Sequence, residues 1–222
     1  MLNQIFNNEN AFWRFASKVF DMLALGILWA VTSIPLVTVG AASAAFWEIY
    51  IQLAGDKEGH IAGGFFRSFH RNLKTGTAVW LLQLAAAGLL LLDLYLCFQM
   101  KNRPETASFL IGVFVILLVF LVLVSTWLYP LIGVRRYSLR ETLSNSLFLT
   151  MRHLPHTAVC PFLILASLAV SCYIPYIVWI LPPLACYLSA KVMMWVFSMY
   201  PRPEENQGST AADKDGKQEE GV

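Results

Sequence analysis

The sequence predicts an all-α integral membrane protein with five transmembrane helices and two amphipathic cytoplasmic helices. Of its 222 residues, 57% are hydrophobic and only 14% are charged, whereas soluble domains average about 25% charged residues. Uncharged segments long enough to cross a bilayer alternate with short basic ones, and a crossing helix needs about 20 apolar residues. Lipid must therefore be part of the solvent, and this distribution of basic residues does not fit a nucleic-acid-binding protein.

Five apolar segments are predicted to cross the bilayer. The fourth and fifth come from a run of 38 uncharged residues, which as one helix would measure roughly 57 Å and therefore has to turn back. Pro175 and the pair Pro182-Pro183 place that turn, although Pro175 as a kink in a longer fourth helix is an alternative. The predicted spans are residues 19–39, 76–98, 106–134, 157–173 and 183–200.

The chain divides into a polytopic membrane domain, residues 1–201, and a polar tail, residues 202–222. The tail has no aromatic residue, so a disordered cytoplasmic segment is predicted. Cytoplasmic connections are richer in lysine and arginine than external ones. Eight basic residues lie in two connections, namely Lys57, Arg67, Arg71, Lys74, Arg135, Arg136, Arg140 and Arg152. They predict a protein of the cytoplasmic membrane with its N-terminus outside and its C-terminus inside.

Both basic connections show the period of an amphipathic helix. In residues 62–74 the apolar positions are Ala62, Phe65, Phe66, Phe69 and Leu73, and the opposite face carries Arg67, His70, Arg71 and Lys74. In residues 138–154 one face carries Leu139, Leu143, Leu147, Met151 and Leu154, after a capping box from Ser138 to Glu141. Two interpretations remain open: the helices lie in the membrane interface with arginines on anionic headgroups, or they dock a partner protein.

A weak internal repeat suggests a duplicated two-span unit with one extra helix. In each half a proline near the cytoplasmic end of a span, Pro35 or Pro130, precedes an amphipathic helix and a further span. The sequence Arg71-Asn72-Leu73 aligns with Arg152-His153-Leu154. Such repeats are common in transport proteins.

Lys191 is the ionisable residue predicted to lie nearest the middle of the membrane. A cation at that depth requires compensation. We expect Asp93 or a backbone carbonyl as its partner, which would make Lys191 structural. A substrate or coupling ion would instead make it functional.

Two motifs carry a resemblance to a known family. The first is Ser33-Ile34-Pro35-Leu36-Val37-Thr38-Val39-Gly40-Ala41-Ala42, and the second is Phe65-Phe66-Arg67-Ser68-Phe69-His70-Arg71-Asn72-Leu73-Lys74. Over residues 10–200 the chain resembles the YesL family, small integral membrane proteins of unknown function from Gram-positive bacteria. In the first motif Pro35 and Gly40 are expected to break the helix, and Thr38 to bind a freed carbonyl. The alanines after Gly40 permit close helix packing.

The resemblance implies an association with carbohydrate uptake, because genes of this family often lie beside those of sugar-importing ABC transporters. An accessory component of such an importer is therefore expected. The alternatives are a stand-alone carrier or channel for small solutes, and a membrane scaffold or sensor that recruits a cytosolic protein. No nucleophile with a matched base and no metal-ligand cluster is visible, so neither an enzyme nor a cofactor or metal site is predicted.

Overall fold

The computed structural model describes residues 11–55, 60–99, 104–135 and 139–200, and all regular structure within them is helical. The predicted tail and the Ser138 cap lie outside the described residues. Two 3₁₀ segments, Leu36–Thr38 and Pro175–Trp179, accompany seven α-helices in the described part. These are α1 (Ala11–Thr32), α2 (Val39–Ala54), α3 (Ile61–Gln99), α4 (Pro104–Arg135), α5 (Leu139–Arg152), α6 (Leu154–Tyr173) and α7 (Leu181–Ser198).

The described residues hold five segments that are long and apolar enough to cross a membrane, as the sequence predicts. They are Leu36–Ala54, Ile61–Gln99, Glu105–Arg135, Leu154–Tyr173 and Tyr176–Ser198. The last three agree with the predicted third, fourth and fifth spans. A short 3₁₀ turn that begins at Pro175 separates α6 from α7, so Pro175 lies in a turn and does not kink a longer helix.

The predicted first span, residues 19–39, is wrong in its extent. Helix α1 ends at Thr32, and a separate helix, α2, begins at Val39. Pro35 explains the break, because proline has no backbone N–H and disfavours the helical conformation in the residue before it. The Thr38 hydroxyl donates to the carbonyl of Thr32 at 2.7 Å and to that of Pro35 at 2.8 Å. It thereby binds carbonyls that the broken helix leaves free, as the sequence suggested.

The predicted amphipathic helix 62–74 and the predicted second span are one continuous helix. Helix α3 has 39 residues and is therefore roughly 58 Å long. No proline separates the two predicted elements, and Gly76 stays helical. The structure thus contains one separate amphipathic helix, α5, among its described residues, where the sequence predicted two.

The two halves of the chain are not built alike. Pro35 lies between α1 and α2, whereas Pro130 lies inside α4. Asn72 is within α3, whereas the aligned His153 separates α5 from α6. Helix α2 has no counterpart after Pro130, so the structure does not support the suggested duplication.

Helices α1, α2 and α3 run antiparallel in succession. Between α1 and α2, the Trp29 indole N–H donates to Ser43 Oγ at 3.2 Å, and the Tyr50 hydroxyl donates to the carbonyl of Met22 at 3.5 Å. Between α2 and α3, Gly40 lies against Gly76. The N-terminal ends of α1 and α3 therefore lie at the same end of the bundle.

Helix α2 lies at the centre of the bundle and contacts α3 and α4 through its backbone. A Cβ atom on Gly76 would lie 2.7 Å from Ala41 Cα, and one on Gly133 of α4 would lie 2.5 Å from the Ala44 carbonyl oxygen. Gly40, which the sequence analysis took for a helix breaker, is inside α2 and lies against Gly76. The neighbouring alanines are completely buried: Ala41, Ala42, Ala44 and Ala45.

Replacing Gly76 by alanine should separate α2 from α3. The new methyl group would meet backbone atoms that cannot rotate away, so we expect a loss of about 1–3 kcal/mol in the free energy of unfolding. Gly88 of the same helix is a matched control, because nothing lies within 4 Å of its added Cβ. Gly88→Ala should be neutral or stabilise by up to about 1 kcal/mol. Denaturation in detergent measures both, and equal effects would contradict the close contact.

Candidate functional site

Glu48 is a carboxylate buried inside the bundle. It lies in α2, within the candidate span Leu36–Ala54, and is only 8% exposed. Burial of an ionised carboxylate is costly unless it is paired and hydrogen-bonded. Its partners therefore define the most unusual polar site among the described residues.

The partners of Glu48 come from α3. Arg71 donates from Nη2 to Glu48 Oε2 at 2.5 Å, and Ser68, one helical turn before Arg71, donates its hydroxyl to the same oxygen. Arg71 Nη2 also donates to the carbonyl of Gly133 in α4 at 3.4 Å. One guanidinium thus joins three helices, and we call Glu48, Ser68, Arg71, Asn72 and the Gly133 carbonyl the polar junction.

Asn72 completes the polar junction from the buried side of α3. Its amide donates to Ser68 Oγ at 3.2 Å, and the residue is 5% exposed. The buried stripe of α3 consists of Phe65, Ser68, Asn72, Gly76 and Val79. This corrects the predicted faces of residues 62–74, because Phe66 is exposed and Arg71 turns toward α2. Arg67 is exposed, as expected for the polar face.

Sequence reasoning missed Glu48, which is the one charged residue between Asp21 and Asp56. The available signal was a single acid three residues after the small residues 40–45, in a segment otherwise free of charge. Small residues let helices approach closely in membranes. An acid beside such a run is therefore expected to be buried and to require a cation from a neighbouring helix.

The polar junction is electrically neutral and closed by its own contacts. The carboxylate and the guanidinium satisfy one another, and the adjacent backbone contacts at Gly76 and Gly133 leave no room for a methyl group. In the described part of the chain, no group of three or more His, Cys, Asp or Glu residues could hold a metal ion. The arrangement fixes α2, α3 and α4 relative to one another.

Lys191 is not paired with Asp93, which corrects the partner expected from the sequence. Lys191 is exposed on α7, and its ammonium lies 5.2 Å from the centre of the Tyr187 ring. Asp93 is half-buried on α3. The reason is the helix arrangement: residues near Asp93 belong to the half of α3 that is largely exposed. The two ionisable residues therefore form no common site.

Helix α5 buries hydroxyl groups and exposes leucines. Thr142, Ser146, Leu149 and Thr150 are buried, and the Ser146 and Thr150 hydroxyls donate to backbone carbonyls of their own helix at 2.9 and 2.7 Å. The face predicted to be apolar points outward with exposures of 36–64%: Leu139, Leu143, Leu147, Met151 and Leu154. We call this set the leucine face.

Removal of one member of the ion pair should destabilise the bundle more than removal of both. Arg71→Gln leaves a buried carboxylate without its cation. The Arg71 side chain is 30% exposed, so water compensates in part and we expect a loss of about 1–3 kcal/mol. The double variant Glu48→Gln/Arg71→Gln should lose less than the sum of the single variants. Unfolding in detergent measures the coupling, and strictly additive losses would exclude a functioning ion pair.

Arg67→Gln is the matched control for Arg71→Gln. Arg67 lies one turn earlier on the exposed side of α3, so its replacement should change the free energy of unfolding by less than about 0.5 kcal/mol.

Comparison with known proteins adds one match. The family described as "Protein of unknown function, DUF624" matches residues 22–94. No curated protein and no solved structure gives a significant match. The matched segment contains the second half of α1, all of α2 and most of α3, and therefore includes Glu48, Ser68, Arg71 and Asn72. The chain is thus a multi-helix, membrane-type protein in which a segment of the first three helices is similar to a family of unknown function.

Proposed function

We propose that this protein is a non-catalytic membrane subunit that associates with a carbohydrate ABC importer. The resemblance of its two motifs to the YesL family supports the association with sugar uptake. The leucine face of α5 supports a role in binding, and it is the observation on which the proposal mainly rests. The way in which α5 is attached to the rest of the protein gives further support.

Helix α5 forms a rigid ridge whose apolar side chains point outward. It is fixed to α4 by a buried face of hydroxyl side chains and Leu149, and it directly precedes the candidate span that begins at Leu154. Its outward side chains include Leu139, Leu143 and Leu147. An apolar ridge at the end of two spans is suited to bind the apolar groove of a membrane partner. Residues 62–74 are less suited, because their buried stripe is already occupied by α2.

The polar junction favours an accessory role over a stand-alone carrier. A carrier requires polar groups that can bind a solute and, after its release, bind water or one another instead. Glu48 and Arg71 are instead bonded to each other and to Ser68 and Gly133. They lie at tight backbone contacts, where a moving helix would have to break several contacts at once.

Recovery of the partner tests the proposal. The native protein and the variant Leu143→Ala/Leu147→Ala are purified in mild detergent, and co-purifying importer subunits are quantified by mass spectrometry. The variant should recover at least about tenfold less importer, because each truncated leucine at a protein contact costs about 1 kcal/mol or more. Leu89→Ala/Leu92→Ala, on the exposed half of α3, is the matched control and should recover normal amounts.

Two results contradict this proposal. One is the absence of importer subunits from the native preparation, whatever other proteins are found. The other is transport of a sugar or an ion by the purified protein alone in liposomes, which would establish the carrier.

We further propose that α1 crosses the membrane in addition to the five candidate spans, and that both termini therefore lie in the cytoplasm. The expectation of an external N-terminus assumed one crossing before residue 57. Helices α1 and α2 instead run antiparallel, which places the start of α1 at the same end as the start of α3. Arg14 and Lys18 then lie on the side of the eight other basic residues, and Lys101 and Arg103 are left on the opposite side. This distribution follows the positive-inside rule more closely.

Cysteine labelling tests the orientation. In a background without the four native cysteines, an impermeant maleimide should label Arg103→Cys in intact cells. Asn8→Cys and Ser209→Cys should react only after permeabilisation, and His60→Cys serves as the cytoplasmic reference. Labelling of Asn8→Cys in intact cells would instead support the external N-terminus predicted from the sequence.

A further inference from the structure

The junction of α5 and α6 consists of one residue and has a basic surface. Helix α5 ends at Arg152, α6 begins at Leu154, and only His153 lies between them. His153 has φ −119° and ψ 39°, and its side chain makes no capping hydrogen bond. Within the first turn of α6, Pro155 has no N–H group, and the Thr157 N–H donates to the His153 carbonyl at 2.9 Å. We call Arg152, His153, His156, Trp195 and Tyr200 the α5–α6 corner.

Arg152 is the exposed cation of the α5–α6 corner. Its guanidinium lies 5.7 Å from the centre of the Phe148 ring and 5.7 Å from that of the Tyr200 ring. The part of the chain that the structure describes offers it no carboxylate within ion-pair distance. Two aromatic rings thus hold the side chain in place, and its N–H groups remain available for an acidic ligand.

Two histidines extend the same surface. His153 Nε2 lies 3.1 Å from the Tyr200 hydroxyl, and the His156 ring packs against Trp195 with 5.3 Å between ring centres. His156 Nδ1 is buried and has no hydrogen-bond partner in the structure. The α5–α6 corner therefore combines a cation and an unsatisfied polar nitrogen, and none of its five members is acidic.

Tyr200 is held in position by α4. Arg135 donates from Nη2 to the carbonyls of Phe197, at 2.9 Å, and Tyr200, and its guanidinium lies 5.4 Å from the centre of the Phe197 ring. These contacts fix the end of α7 against α4. The surface beneath Arg152 is therefore preformed.

The location of the α5–α6 corner selects one class of ligand. The candidate span Leu154–Tyr173 begins there, and the span Tyr176–Ser198 ends beside it, so the α5–α6 corner lies at a membrane surface. Exposed apolar side chains adjoin it on α5 and α6: Phe148, Met151 and Leu154. A phosphate with acyl chains fits this combination of an exposed cation and apolar flanks.

We propose that the α5–α6 corner binds the phosphate of an anionic phospholipid. Arg152 donates to the phosphate oxygens through its guanidinium N–H groups. The acyl chains lie along Met151 and Leu154. Met151 and Leu154 also belong to the leucine face. The test of this site changes Arg152 and leaves Leu143 and Leu147 in place, so its failure is distinguishable from failure of the proposed importer association.

Native mass spectrometry with phosphatidylglycerol as the probe tests the site. Arg152→Gln should weaken binding of the first phosphatidylglycerol about tenfold, since it removes a charge-assisted contact. Arg152→Lys keeps a cation above the rings and should weaken binding only about threefold. Arg140→Gln removes an exposed arginine at the other end of α5 and is the matched control. It should bind phosphatidylglycerol as the unaltered protein does.

Further measurements, with other ligands and of protein folding, distinguish the possible outcomes. Phosphatidylcholine should bind more weakly than phosphatidylglycerol, and inorganic phosphate at millimolar concentration should not displace the lipid. Melting temperatures measured in phosphatidylcholine alone show whether each variant is folded. If Arg152→Gln is not folded, the test depends on the binding of phosphatidylglycerol by Arg152→Lys. Equal losses from the variants at Arg152 and Arg140 would overturn the proposal, because any surface arginine would then suffice. Displacement by phosphate would overturn it in favour of a free-anion site.

Discussion

The packing of this protein depends on one constraint, the direct backbone contact of α2 with α3 and α4. In a bilayer, apolar side chains gain little by leaving lipid for protein, so helices associate through close packing and internal hydrogen bonds. Glycines at 40, 76 and 133 remove the side chains that would keep these helices apart. That approach also brings Glu48 within reach of Arg71 and the Gly133 carbonyl. Without it, the carboxylate would lack its cation in an apolar environment.

Hydropathy predicts most of the helices because the cost of unsatisfied backbone groups in lipid leaves few alternatives. The boundaries of α4, α6 and α7 agree with the sequence to within a few residues. Pro175 and Pro35 both mark real interruptions, because proline removes a donor in any environment. The amphipathic pattern of residues 138–154 likewise identifies α5 and its leucine face. In that helix the hydroxyl groups of Thr142, Ser146 and Thr150 face the protein, which periodicity alone does not specify.

The polar junction could not be predicted because Glu48 is 20 or more residues away from Ser68 and Arg71 in sequence and meets them only through tertiary packing. Arg71 belongs to a basic helical face by periodicity, yet α2 lies on that side and offers Glu48. Lys191 shows the opposite case, in which a cation expected to be buried lies exposed over Tyr187. Sequence pattern gives the side of a helix on which a residue lies. Which neighbour occupies that side is decided by the other helices.

Because α3 is one unbroken helix, a movement of its lipid-facing half also moves the residues that it contributes to the polar junction. Ser68 is eight residues from Gly76, or about 12 Å along the helix. A tilt of about 10° around Gly76 would therefore move Ser68 by roughly 2 Å, enough to break its bond to Glu48. A bilayer that is thinner or thicker than the apolar length of a helix is accommodated partly by helix tilt. Since α3 cannot tilt alone and keep this bond, α2, α3 and α4 respond to membrane thickness as a single rigid body.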